Sequence, residues 1–144
     1  MPQISQNLQS IYRNYKAIPL ILSAAVVIDY ALTFYLAGSI EMIQDYEHSP
    51  TLVYAVNHNI VIPYLVFTVF FYYAAGYIVL KYLEDSGIYY IGVSIVLLMS
   101  ITHVLGGLSW CVLSASYSNA VLALSLTSVV ITIAVFGYEI IRQI

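Results

Sequence analysis

Four stretches of the chain stay apolar for about 20 residues each, near positions 17–37, 60–80, 89–110 and 120–141. A helix needs roughly 20 residues to cross about 30 Å of hydrocarbon, so each stretch is long enough to span a membrane. The runs are continuously apolar and lack the in-out alternation of barrel strands. In lipid a helix also satisfies its own backbone hydrogen bonds, so helices are predicted. Upstream, Ile4, Leu8, Ile11, Tyr12 and Tyr15 recur at helical spacing among polar residues. That spacing fits a short amphipathic helix on the inner membrane surface, with a disordered tail as the alternative. There is no Gly/Ser-rich linker, low-complexity tract or internal repeat, so residues 1–144 read as one domain. The expected fold is all-α: a polytopic integral membrane four-helix bundle with N and C termini cytoplasmic.

Composition supports lipid as the solvent. Of 144 residues 62% are hydrophobic and 8% charged, against roughly 25% charged in an ordinary soluble domain. So few charges could not cover a soluble core with polar surface. Arg13 and Lys16 precede the first apolar run as in a signal peptide, but the run is too long for a signal h-region, so it is expected to be retained. A net charge of -3 offers no basic patch for phosphates, which argues against nucleic acid as a partner. Cys111 stands alone, which excludes an internal disulfide and a cysteine-rich zinc module.

Orientation follows from the basic residues. Arg13 and Lys16 precede span one, Lys81 follows span two and Arg142 follows span four, all on one side. By the positive-inside rule both termini and the turn at Glu84-Asp85-Ser86-Gly87 face the cytoplasm, and segments 38–59 and 111–119 face outward. Aromatics agree, with Tyr77, Tyr82, Tyr89, Tyr90 and Tyr138 near the inner interface and Tyr35, Trp110 and Tyr117 near the outer one.

Against this background the ionisable residues within the spans are conspicuous. Asp29 lies inside span one, where a charge costs about 2.5–3.5 kcal/mol on insertion scales and should face protein or a wet cavity. At about 1.5 Å per residue it stands roughly 18 Å from the inner edge, and His103 in span three stands at roughly 21 Å. The two are level, so an Asp29–His103 contact is expected if spans one and three are neighbours. Small residues Gly92, Ser100, Gly106 and Gly107 near His103 would allow close approach, and Thr33 extends the polar stripe one turn above Asp29.

The outer segment 38–59 is the longest connection and carries Glu41, Asp45, Glu47, His48, Asn57, His58 and Asn59. Ser49-Pro50 reads as an N-cap and first helical position, so span two is expected to begin at Pro50 and run on, kinked at Pro63. Such a helix would hold Glu47 and His48 near the membrane mouth, with His58 about two turns further down it.

The candidate site residues are therefore Asp29, Thr33, Glu47, His58 and His103, with His103, Asp29, Glu47 and His58 as conceivable ligands of a transition metal. No His-Glu-x-x-His, Gly-x-Ser-x-Gly or phosphate-binding glycine loop accompanies them, so the signal is convergence and not a motif. Each has a plainer explanation. Asp29 and His103 would serve as helix–helix glue, worth about 0.6 kcal/mol on average. Glu41, Asp45 and Glu47 would be solvated, and His48 and His58 would be surface residues. Ser125, Ser128 and Thr132 read as a packing face, and Phe67, Phe70, Phe71, Tyr72 and Tyr73 as lipid-facing and packing aromatics. Three function classes remain: a subunit or interaction protein of a membrane complex, or a homo-oligomer; a metal- or carboxylate-dependent membrane enzyme; and a proton or small-ion conduit formed by an oligomer. No cofactor is specified.

Asp29-x-x-x-Thr33 in the first span, followed by Glu47-x-Ser49-Pro50 opening the second, resembles a pattern of small prokaryotic four-helix membrane proteins. There the second element usually reads Glu-x-Asn-Pro, so Ser49 is a departure. The resemblance covers the first third of the chain. It implies a multi-pass helical fold, carries no activity, and marks Asp29, Thr33 and Glu47.

Overall fold

The computed structural model describes residues 11–143, which are all-helical. Six helices follow in order among them: α1 (Ala17–Ala37), α2 (Ile40–Tyr46), α3 (Pro50–Asn57), α4 (Val61–Tyr82), α5 (Tyr89–Val112) and α6 (Ala115–Gln143). Four of them, α1, α4, α5 and α6, are long and apolar enough to cross a membrane. The count of four is thus right for the spans and short by two for the chain, because segment 38–59 folds into α2 and α3. Of the predicted amphipathic segment, Ile4 and Leu8 lie outside the described residues. The part that is described packs on the bundle: the Tyr15 and Tyr77 rings lie 5.7 Å apart, and Arg13 Nε donates to the Tyr90 hydroxyl at 3.2 Å.

Local chemistry sets the helix ends. Asn14 Oδ1 accepts the N–H groups of Lys16 and Ala17 at 3.1 Å, satisfying donors that a helix start leaves open. Gly38, left-handed at φ 73°, ends α1. Ser39 caps α2 through the Met42 N–H, and Ser49 caps α3 through the Leu52 N–H, with Pro50 in the first turn. The predicted continuous helix from Pro50 does not form. The chain breaks at residues 58–60, with Asn59 at φ 57° and the Ile60 N–H turned back to Ala55 O at 2.9 Å. Asn is among the few residues that enter the left-handed region readily. The break also removes the Asn59 carbonyl from the path of the Pro63 ring, which would clash with it in an unbroken helix. Pro63 therefore sits in the first turn of α4 and kinks nothing.

The long helices pack in the order α4, α1, α5, α6, with α1 against α5 the most extensive contact. In the apolar windows of α1 and α5, 39% of residues are buried, against 6% for α4 and α6. The half of the bundle where α1 begins is closed by Ile18, Leu22 and Val26 of α1, Leu80 and Leu83 at the end of α4, and Tyr89, Val93 and Val96 of α5. At the opposite end Ile43, Leu52 and Val56 pack on Ala37 with Tyr30, Phe34, Tyr64 and Trp110 beside them, so α2 and α3 fold back as an apolar cap. Between these two apolar layers lie Asp29 and His103.

Candidate functional site

Apolar burial does little to join helices in lipid, whose tails are as apolar as leucine; close backbone approach does more. Gly107 supplies it. A Cβ there would meet Leu32 Cβ at 2.9 Å and the Asp29 Cα and carbonyl oxygen at 3.0 Å, so only glycine lets α5 lie this near α1. His103, one turn earlier on the same face of α5, is thereby brought to Asp29. Its Nδ1 stands 2.8 Å from Asp29 Oδ2, and the two side chains keep 19% and 18% of their surface exposed. With Asp29 ionised, Nδ1–H donates, and the bond fixes the ring's tautomer and orientation. Tyr72 of α4 packs against the His103 ring, centroids 4.8 Å apart at 82°. Tyr72 is thus one of the packing aromatics, while Phe67, Phe70 and Phe71 face away from the bundle at 68%, 69% and 55% exposed.

Glu47 joins this region from the connection between α2 and α3. Its Oε1 accepts the Ser49 N–H at 2.9 Å, and the Trp110 indole lies beside it as a donor. Burial holds the Glu47 carboxyl above its ordinary range; the Asp29 charge pushes the same way, against the downward pull of the Ser49 N–H, Trp110 and His48. The expectation of a merely solvated acid therefore holds for the exposed Glu41 and Asp45 but not for half-buried Glu47. Beside it runs a chain of hydroxyls: Ser49 Oγ to Thr51 Oγ1 at 3.1 Å, Thr51 Oγ1 to Tyr64 at 2.9 Å, and Tyr30 to Tyr64 at 3.2 Å.

Two candidates stand apart from this arrangement. His58 is exposed at the end of α3, its ring stacked on Tyr54 at 3.9 Å and its Nδ1 2.8 Å from the Tyr54 carbonyl. Thr33 is buried at 3% exposure, and among the described residues its hydroxyl makes no hydrogen bond to Asp29 or His103. Among the described residues no three of His, Cys, Asp and Glu come together in a way that could hold a metal ion.

Some residues of the site escaped the sequence reading. Tyr64, Thr68 and Tyr72 recur every fourth position on α4, and this hydroxyl spacing was readable as one face of a helix. At the other end Glu139 is 1% exposed within α6, its Oε2 3.6 Å from Arg142 Nη1, a pair that i,i+3 spacing announces. Of the remaining hydroxyl stripe, Ser128 and Thr132 bond back to the carbonyls of Leu124 and Ser128 at 2.8 and 2.7 Å, as a packing face would. No family model, curated protein or solved structure matches the chain.

Proposed function

We propose that this chain is a small multi-pass protein of the cell membrane, both termini cytoplasmic, that serves as a subunit or interaction protein of a membrane assembly. Around Asp29 and His103 it would carry an outward-facing polar pocket. The observation that carries this reading is the unequal packing of the spans. Helix α6 is 29 residues long and rests chiefly on α5. It turns Leu126, Val130, Ile133 and Ile141 outward at 59%, 65%, 67% and 76% exposed. Such a face is available for lateral contact with another membrane protein. The Asp29-x-x-x-Thr33 and Glu47-x-Ser49-Pro50 elements, which resemble a pattern of small prokaryotic four-helix membrane proteins with Ser49 as a departure, fit the same proposal.

The test is photo-crosslinking in native membranes from a photoreactive residue at Val130 or Ile133. A discrete protein adduct is expected, of dimer size if the partner is a second copy. Lipid adducts alone at both positions would remove the interaction reading.

One observation favours a second reading. Asp29 holds His103 through Nδ1 and leaves Nε2 for acid–base chemistry or for a metal. Stoichiometric zinc, iron or copper in purified protein, lost on His103→Ala, would favour a membrane enzyme over a subunit. A conduit draws less support, since the apolar layer from Ile18 to Val96 fills the inner half and a pathway would have to form between copies.

A further inference from the structure

We infer that Glu47, Asp29 and His103 form one coupled proton-binding site that is open to the solution on the Cys111 face of the membrane and closed to the opposite face. Three acid–base groups from three separate parts of the chain converge here. Asp29 comes from α1, His103 from α5 at 2.8 Å, and Glu47 from the connection between α2 and α3, within electrostatic reach of Asp29. The other groups facing them are Tyr30 on α1, Tyr64 and Tyr72 on α4, and His48 next to Glu47. From α6, Tyr117 reaches this end of α5, and its hydroxyl is taken by the Leu105 carbonyl at 3.0 Å. Lys81 and Arg142 stand at the opposite ends of their helices and Arg13 and Lys16 before α1, so no permanent cation neutralises the two acids, and a proton is what balances them.

Access is one-sided because, among the described residues, linked hydroxyls lead away from the site in one direction, whereas in the other the buried Ser23 and Ser100 donate to the carbonyls of Val69 and Val96 at 3.3 and 2.8 Å and extend no chain. Toward the Cys111 end the linked hydroxyls run from exposed Thr51 through Tyr64 to Tyr30, with half-buried Glu47 beside them. Toward the other end come Val26, Leu22 and Ile18, then Leu80, Leu83, Val93 and Val96, all at 5% exposure or less. The cavity of about 250 Å³ that runs beside this layer between α4 and α6 is lined by apolar side chains apart from Tyr72 and Thr132, so it carries no polar path across. A proton crossing that layer would have to leave hydrogen-bonding partners altogether.

The chain carries its own probes. Trp110 is its one tryptophan and lies beside Glu47, so its emission reads the charge on that carboxyl. Cys111 is its one cysteine, exposed at the end of α5, and shows which face is which. The inference rests on the polar pocket proposed above but not on its outward orientation, because the response is referred to Cys111.

In the experiment the full chain is reconstituted into phosphatidylcholine vesicles, and an impermeant maleimide reports the face of Cys111. An acid step on that face is expected to change Trp110 emission within mixing. A step on the other face should do nothing until a protonophore is added. The midpoint should lie above the ordinary glutamate value of about 4.3. Coupling shows as opposite shifts: Asp29→Asn lowers the midpoint by removing a negative neighbour, and His103→Gln raises it by removing a group that can carry positive charge. A response from the face opposite Cys111 would overturn the one-sided site. An unchanged midpoint in both variants would overturn the coupling. Should one variant fail to fold, the other and the wild-type sidedness each still decide. If orientation alone is wrong, the Cys111 label appears on the cytoplasmic face in cells while the vesicle result stands.

Discussion

Gly107 and Gly106 are neighbours in sequence and opposite in consequence. A methyl at Gly107 would press on the Asp29 backbone and on Leu32 at 2.9–3.0 Å, where neither can yield, so α1 and α5 must separate. Gly107→Ala is expected to cost about 1–3 kcal/mol, the usual price of overpacking, and to break the Asp29–His103 bond. At Gly106 the added carbon would lie 3.5–3.6 Å from the Asp29 carboxyl oxygens, an ordinary contact. Gly106→Ala should stay within about 0.5 kcal/mol of wild type, the range of substitutions that disturb no special feature. Unfolding titrations in mixed detergent micelles compare the two, and equal losses would contradict the close-approach account. Sequence placed both glycines near His103 but could not rank them, because the rank depends on which side of α5 meets α1.

At the scale of elements, the caps were legible and the breaks were not. Ser49-Pro50 announced the start of α3 because a side-chain oxygen and a proline do their work within a few residues of each other. Ser49→Ala should cost about 1 kcal/mol, and amide exchange across residues 50–57 should quicken by roughly fivefold if that cost falls on local opening. Unchanged exchange would show that packing of Leu52 and Val56, not the cap, holds the helix. The end of α3 at residues 58–60 turned on Asn59 adopting a left-handed backbone, a choice that competing helical pattern concealed. Helix α2 was missed for a related reason. Its seven residues are too few to be stable alone, and it forms where Ile43 is buried against Leu52 and Val56.

On the scale of the whole molecule, the spans make an asymmetric array, with α1 and α5 inside and α4 and α6 on its flanks. All four basic residues belong to one end of it. The proposed orientation predicts that an impermeant maleimide labels Cys111 in intact cells. Asp85→Cys in a Cys111→Ser background, placed in the exposed turn between α4 and α5, should label only after the membrane is opened. Reversal of the pair would invert the topology and leave the packing untouched.

Sequence by itself determined how many helices are long and apolar enough to span, near which residues they run, and that Asp29 and His103 stand at one depth. Those properties follow from composition and from a fixed rise per residue, so they need no knowledge of neighbours. Tertiary structure alone decided that α1 lies against α5 and that Tyr72 turns inward to His103. It also decided that Glu47 joins them while His58 does not, and that Glu139 is buried. Each of these depends on the rotation of one helix about its axis or on where a connecting segment folds back. Such angles are set by packing between residues far apart in the chain, and the apolar pattern of a lipid-facing helix, nearly uniform around its circumference, does not record them.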